Sequence, residues 1–435
     1  MIARWRIAAR ALDMTKTRSM MSGSSEHAAH APPARAAGAL DGIRVIDLSR
    51  VLAGPLCTQM LSDQGASVIK VEPPAGDETR ALGPPVNADG DAAYFTAVNR
   101  GKRAIGLDLS LPGGREVLLR LLEQADVLVE NFIPGTMAKW GLDYDADLKP
   151  RFPQLIYCAI SGFGEDGPLG GLPGYDAILQ AMCGLMSVNG DAASGPTRIG
   201  IPIVDHLTGY TAQSGILLAL YHRARTGQGQ RVDVTLFDTA LSLLVPHAAN
   251  WMHTQRTPGL MGSAHPNIAP YDRFTCRDGD IFLGVVNDRQ FQKFCDYVGL
   301  APLLEDERFT SNRQRLQHRD ALRDAIEGVL RDRAREAVCH DLMRLGVPVG
   351  PVNSVPEAFE QAHTAHRGMR IDRDGYHGIG PATRLAEAPT RVGRLPPAFA
   401  QHTDEVLREA GLDDTRIASL REQGVLPPRR PPPKP

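Results

Sequence analysis

Long uninterrupted apolar runs are missing from this 435-residue chain. None approaches the roughly 18–20 residues that cross a bilayer, so no membrane partner is expected. Charge of one sign is missing as well: 48 Lys and Arg against 50 Asp and Glu leave a formal net charge of −2. Such a balance gives no electrostatic reason to expect nucleic acid as a partner, and any anionic ligand would need a local cluster of Lys and Arg. Cysteine is scarce: Cys57, Cys158, Cys183, Cys276, Cys295 and Cys339 are scattered, with no C-x-x-C pair. Neither a zinc site nor a disulfide framework is indicated, and reduced thiols in a cytosol-like compartment fit best. No Walker A sequence, H-E-x-x-H or G-x-S-x-G elbow occurs, so phosphoryl transfer, zinc hydrolysis and serine hydrolysis lack support.

What is present suits a soluble globular protein. Hydrophobic residues make up 43% and charged residues 23%, enough to bury a large core. The length implies two domains, or one large domain with another inserted. The first 38 residues stand apart. Arg4, Arg6, Arg10, Lys16 and Arg18, with Asp13 the one acid before Glu26, resemble a mitochondrial presequence. The simpler reading is an upstream start, with Met14, Met20 or Met21 as the true first residue and a cytoplasmic location; a presequence would mean the mitochondrial matrix. The basic, proline-rich tail at 427–435 cannot build a core and is expected to be disordered.

Structure begins at Leu40. GIRVIDLS is a β-rich run, Gly54-Pro55 opens a helical pattern, and SVIKV from Ser67 reads as a second strand. Strand, helix, strand in about thirty residues is a βαβ unit with parallel strands. The pattern recurs through AIGLDL, a helix opened by Pro112, DVLVENF, a helix after Pro134-Gly135, and LIYCAIS. A helix near Ala177–Met186 follows. The apolar run Ile199–Val204 then reads as a strand leading through Asp205 to a helix beginning near Thr208. The alternation predicts an open, doubly wound α/β sheet. From about Met252 the helical period lapses, and DGDIFLGVV reads as an antiparallel-type strand. The expected division is a large domain over 39–250, a small inserted α+β domain over 251–312, and a return of the large domain with C-terminal helices over 313–426.

Gly162-Phe163-Gly164-Glu165-Asp166-Gly167 is a literal G-x-G-x-x-G directly after a strand. A dinucleotide site needs a helix to begin there, and Pro168, Gly170, Gly171 and Pro173 forbid it. A loop over a site is expected instead. Arg100-Gly101-Lys102-Arg103 precedes a strand, and Lys139 lies in the helix after DVLVENF. They read either as a solvated charge run or as phosphate contacts to a nucleotide-like ligand. Asp205 reads either as a helix N-cap, which Asp fills well, or as a functional carboxylate near a helix's positive pole. The pattern alone leaves both open.

LDGIRVIDLSRVLAGPLCTQMLSDQGASVIKVEPPAGDETR, NRGKRAIGLDLSLPGG, ADVLVENFIPG, TGQGQRVDVTLFDTAL and HTDEVLREAGL stand in that order. Together, over about residues 39–426, they resemble the class III CoA-transferases, the formyl-CoA transferase and carnitine CoA-transferase group. The resemblance implies a Rossmann-like large domain, a smaller inserted domain and a homodimer of interlocked rings. It implies coenzyme A thioesters and small carboxylic acids as substrates, with no metal and no permanently bound cofactor. In GIPIVDHLTG, Asp205 matches the family's nucleophilic aspartate. Val51, Leu52 and Ala53 match residues at the thioester end of CoA. Leu107, Asn131 and Phe132 match residues around its arm, Lys139 a basic contact, and Arg103 belongs to the same basic set. Leu52 stands where formyl-CoA transferase has glutamine, and Ser110 where it has lysine. Both departures put formyl or oxalyl specificity in doubt.

The same fold also hosts α-methylacyl-CoA racemases, which need two acid/base groups flanking the α-carbon. The family resemblance puts a histidine there, in a G-H-D triplet; this chain has Gly174-Tyr175-Asp176. An unperturbed tyrosine, pKa ~10, is a poor proton acceptor near neutrality beside histidine at ~6.5. The racemase glutamate before a Gln-Phe pair is also missing, since Asn287 and Asp288 precede Arg289-Gln290-Phe291. Tyr175 and Asp176 agree with the transferase subgroup. A non-catalytic CoA-binding protein is the remaining alternative, though pure binding needs no activated nucleophile. Gly262-Ser263-Ala264-His265-Pro266-Asn267-Ile268-Ala269-Pro270-Tyr271 resembles members acting on short dicarboxylates. His265 or Arg198 is then expected to pair with the acceptor's second carboxylate, unless His265-Pro266 merely shapes a turn.

Overall fold

The computed structural model describes residues 37–428. Its main sheet has six parallel strands: β1 (Arg44–Asp47), β2 (Ser67–Glu72), β3 (Arg103–Gly106), β4 (Val127–Glu130), β5 (Ile156–Ser161) and β6 (Arg231–Thr235). Their order is β3-β2-β1-β4-β5-β6, the doubly wound arrangement expected from the alternating pattern. Val45 lies opposite Val68 on one side and Val127 on the other. Because side chains alternate along a strand, Val45 and Ile46 feed different cores. Ile46, Ile105, Leu128 and Tyr157 join one face; Val45, Val68, Val127 and Ile156 join the other. Helix α1 (Ala53–Asp63) and the long helix α2 (Ile203–Thr226) cover the second face.

A three-stranded antiparallel sheet follows: β7 (Tyr271–Cys276), β8 (Gly279–Gly284) and β9 (Val349–Pro351). Its core runs from Phe274 and Ile281 through Phe294, Leu322 and Ile326 to Leu342. The helices α3 (Arg319–Leu330) and α4 (Arg335–Arg344) therefore pack on the small sheet. Within 313–426, the segment expected to return to the large domain, Leu322, Ile326 and Leu330 instead share a core with the three-stranded sheet, and β9 hydrogen-bonds to β8. Strand β6 and the hairpin β10 (Arg370–Arg373) to β11 (Tyr376–Ile379) were not anticipated. The pair of C-terminal helices, Thr403–Glu409 and Asp414–Glu422, was. The segments 1–36 and 429–435, and with them the two readings of the N-terminus and the expected disorder of the tail, lie outside the described residues.

The basic run is not a solvated face. Arg100 is buried against Asp63 at 2.6 Å, and Lys102 against Asp47 at 3.0 Å. Arg103 begins β3, at the amino edge of the sheet, and pairs with Glu405 and Glu409. The phosphate-contact reading of these three side chains is corrected: each is already neutralised by a carboxylate of the chain. Leu107 is likewise a core residue, 1% exposed among Ile105, Leu109 and Leu118.

Candidate active site

Doubly wound sheets bind ligands beyond the carboxyl ends of their strands, where strand order reverses. Here that point lies between β1 and β4. A cavity of ≈ 190 Å³ opens there. Arg50, Val51, Leu52 and Ala53 line it after β1, Asn131 and Phe132 after β4, and Gly162 after β5, with Tyr175 and Asp205 completing it. Seven of the residues singled out from sequence thus meet: Val51, Leu52, Ala53, Asn131, Phe132, Tyr175 and Asp205. Exposed Lys139 and Arg198 do not line it, nor does His265, whose ring packs edge-on to Tyr271 at 5.2 Å. Arg103 and Leu107 are also absent from it.

Asp205 is neither an N-cap nor the end of a strand. Ile199–Val204 forms no ladder, since Pro202 lacks an N–H and Ile201 is 54% exposed. Helix α2 starts at Ile203, with Pro202 as its cap residue, so Asp205 stands in the first turn. That turn is satisfied from outside. One oxygen of Asp176 accepts from the amides of Val204 (2.7 Å) and Asp205 (3.2 Å). The other accepts from Gln180 Nε2 at 2.6 Å, while Gln180 Oε1 accepts from the Ile199 amide at 2.8 Å. Asp176 is therefore a cap supplied by a neighbouring helix, and it fixes the backbone that carries Asp205.

Burial, and then repulsion from Asp176, push the Asp205 carboxyl up to about 7. It is thus balanced between protonated and ionised forms near neutrality, and more basic than an ordinary carboxylate. A group so placed can act as a nucleophile or exchange a proton. Close packing builds the walls. A Cβ on Gly209 would meet the Ala53 carbonyl oxygen at 2.8 Å, so this glycine lets α2 approach α1. A Cβ on Gly162 would meet Gly174 at 2.9 Å, holding the glycine loop against the end of β5. As expected, G-x-G-x-x-G opens no helix and its first glycine borders the site.

Sequence reasoning missed Arg50 and Glu78, which also line the cavity and pair at 3.3 Å. It matched Asn131 to the CoA arm but did not foresee that this side chain holds the turn after β1. Arg50 N donates to Asn131 Oδ1 at 2.8 Å, and Asn131 Nδ2 returns a bond to Arg50 O at 2.7 Å. The one available signal was that Asp77, Glu78 and Asn131 fall within the ordered motifs that carry the family resemblance. Among the described residues no group of His, Cys, Asp or Glu could hold a metal ion, and no helix is long and apolar enough to cross a membrane.

The family model described as CoA-transferase family III matches residues 40–403. Among curated proteins, the succinate–glutarate CoA-transferase of Agrobacterium fabrum is 41% identical over 381 residues, covering 85% of this chain and 95% of that one. The acetyl-CoA:oxalate CoA-transferase of Acetobacter aceti is 42% identical over 357 residues, covering 81% and 91%. Among solved structures, a CAIB/BAIF family protein from Brucella suis superposes with a TM-score of 0.78 at 41% identity, covering 86% of this chain and all of that one.

Proposed function

The chain belongs to CoA-transferase family III, and we propose that it carries CoA from a succinyl-CoA-like donor to a short dicarboxylic acid by way of Asp205. The relatives named for succinate–glutarate and oxalate transfer support the substrate class. The observation that carries the mechanism is the basic Asp205 carboxylate, held in a first helical turn and sharing a cavity with Val51, Leu52, Ala53, Asn131 and Phe132. In this reading ionised Asp205 attacks the donor's thioester carbonyl, giving an acyl-aspartyl anhydride and CoA thiolate. The thiolate then attacks the aspartyl carbonyl, releasing the donor's carboxylate and leaving an aspartyl-CoA thioester. The acceptor carboxylate reverses these steps and leaves as the new acyl-CoA. Thioester free energy is conserved only if water is kept out, which suits a cavity walled by Leu52, Ile160 and Leu236.

We read the protein as a homodimer. Tyr210, Leu217, Leu218 (68% exposed) and Tyr221 recur at helical spacing along α2, an exposed apolar stripe of the kind that marks an interaction surface. Pairing of His265 or Arg198 with an acceptor's second carboxylate then needs the second subunit, since neither reaches the Asp205 cavity of its own chain. Incubating succinyl-, acetyl- and oxalyl-CoA with a panel of mono- and dicarboxylic acids, and separating the CoA products by HPLC, tests the proposal. New dicarboxylyl-CoA species are expected. Exchange of the α-hydrogen with deuterated water, without CoA exchange, would indicate a racemase instead.

A further inference from the structure

Val51 has a φ of 68°. For a β-branched residue the left-handed region is a true outlier, and such strain persists only where the surroundings over-determine it. They do so here with side chains alone. Ser49 N donates to Asp47 Oδ1 (3.0 Å), and Ser49 O accepts from Lys70 Nζ (2.8 Å). Both backbone groups of Arg50 are taken by Asn131. Val51 N donates to Asp77 Oδ1 at a long 3.4 Å. Every backbone polar group from Ser49 N to Val51 N is thereby held by a side chain from in or beside the sheet. Lys70 and Asp77 are themselves paired at 2.9 Å, both side chains fully buried, and Thr79 N and Oγ1 donate to the same Asp77 oxygen that receives Val51.

We propose that the buried Lys70–Asp77 pair is a positioning device for transfer: it pins Val51 in its left-handed turn and so fixes the Leu52–Ala53 edge of the cavity that contains Asp205. An ordinary turn would leave the chain free to relax φ to negative values, rotating the peptide that leads into α1. The amides of Ala53 and Gly54, at the start of α1, have no hydrogen-bond acceptor among the described residues. Their placement depends on that peptide, and donors aimed at developing charge act only when preorganised. Lys70 and Asp77 touch no substrate in this view. They act through Val51, so turnover falls while binding of the CoA thioester is largely kept.

The inference rests on the CoA-transfer reading, which wild-type exchange and its loss in Asp205→Asn establish separately in the same assay. The test is a double-mutant cycle of Asp77→Asn and Val51→Gly, with kcat and KM measured for the acyl-CoA donor. Glycine adopts positive φ without strain, so it relieves the need for the clamp. Asp77→Asn is expected to lower kcat about tenfold or more with KM within about threefold. In the Val51→Gly background the same change is expected to lower kcat less than about threefold. Equal losses in both backgrounds, or no loss in either, overturn the proposal. If Asp77→Asn does not fold, thermal melting of Val51→Gly against Val51→Ala decides. The glycine variant is expected to be the more stable because only it accepts the left-handed turn freely, and greater stability of the alanine variant overturns the proposal.

Discussion

Asp205→Asn removes a carboxylate and leaves an amide of nearly the same volume in the same helical turn. The carboxyl ionises near 7 in the fold against 3.8 in a free chain. At ~1.36 kcal/mol for each tenfold change in the ionisation constant, that difference amounts to about 4 kcal/mol. Partial solvent access screens the group, and about 2 kcal/mol is the working figure. The folded-state value is raised, so the contribution is fully present below the free-chain value near 3.8 and is lost as pH rises through about 7. Wild type and Asp205→Asn should therefore melt together near pH 4, whereas at pH ~8 the asparagine protein should be about 2 kcal/mol the more stable. In that same protein, turnover should fall by at least about a thousandfold, because the amide cannot serve as nucleophile. Paired denaturation curves at the two pH values measure the gap. A gap of the same size at both, or a wild type that is more stable at the higher pH, would refute the reasoning.

Asp176→Asn keeps an oxygen for the Val204 amide but removes the like charge beside Asp205. The rise of kcat with pH should move to lower pH, and an unshifted profile would count against the pairing. Gly209→Ala adds helix propensity worth up to ~1 kcal/mol, yet its Cβ would lie 2.8 Å from the Ala53 carbonyl oxygen. Overpacking of ~1–3 kcal/mol should win, so urea denaturation should show a less stable protein. Arg103→Ala removes a side chain neutralised by Glu405 and Glu409. The KM for the acyl-CoA donor should change less than about twofold, and a much larger rise would restore the ligand-contact reading.

The parallel sheet was legible because its strands are buried on both faces, so runs such as Val127-Leu128-Val129 stay apolar without alternation. Strand β6 escaped notice because Arg231 and Val232 are only partly covered and Asp233 is exposed, and the hairpin β10–β11 because most of its residues are exposed. The apolar run at Ile199–Val204 misled for the opposite reason: it has strand composition but ends in a helix start, set by Pro202 and by the cap from Asp176, 28 residues away. Arg100 and Lys102 read as either surface charge or phosphate contacts because their partners, Asp63 and Asp47, lie 37 and 55 residues earlier in the chain. Local pattern locates elements and isolated carboxylates well; it does not show which distant side chain neutralises a charge or caps a helix. The cavity residues at 51–53, 131–132 and 205 came from a resemblance in motif order, and the fold brings them to one sheet edge.

Central to the account is covalent capture of the donor's acyl group by one carboxylate. Adding hydroxylamine during turnover of an acyl-CoA donor and mapping the digested protein by mass spectrometry tests it directly. A hydroxamate on Asp205, dependent on donor and absent from Asp205→Asn, is the predicted result; turnover with label at another carboxylate, or at none, would contradict it.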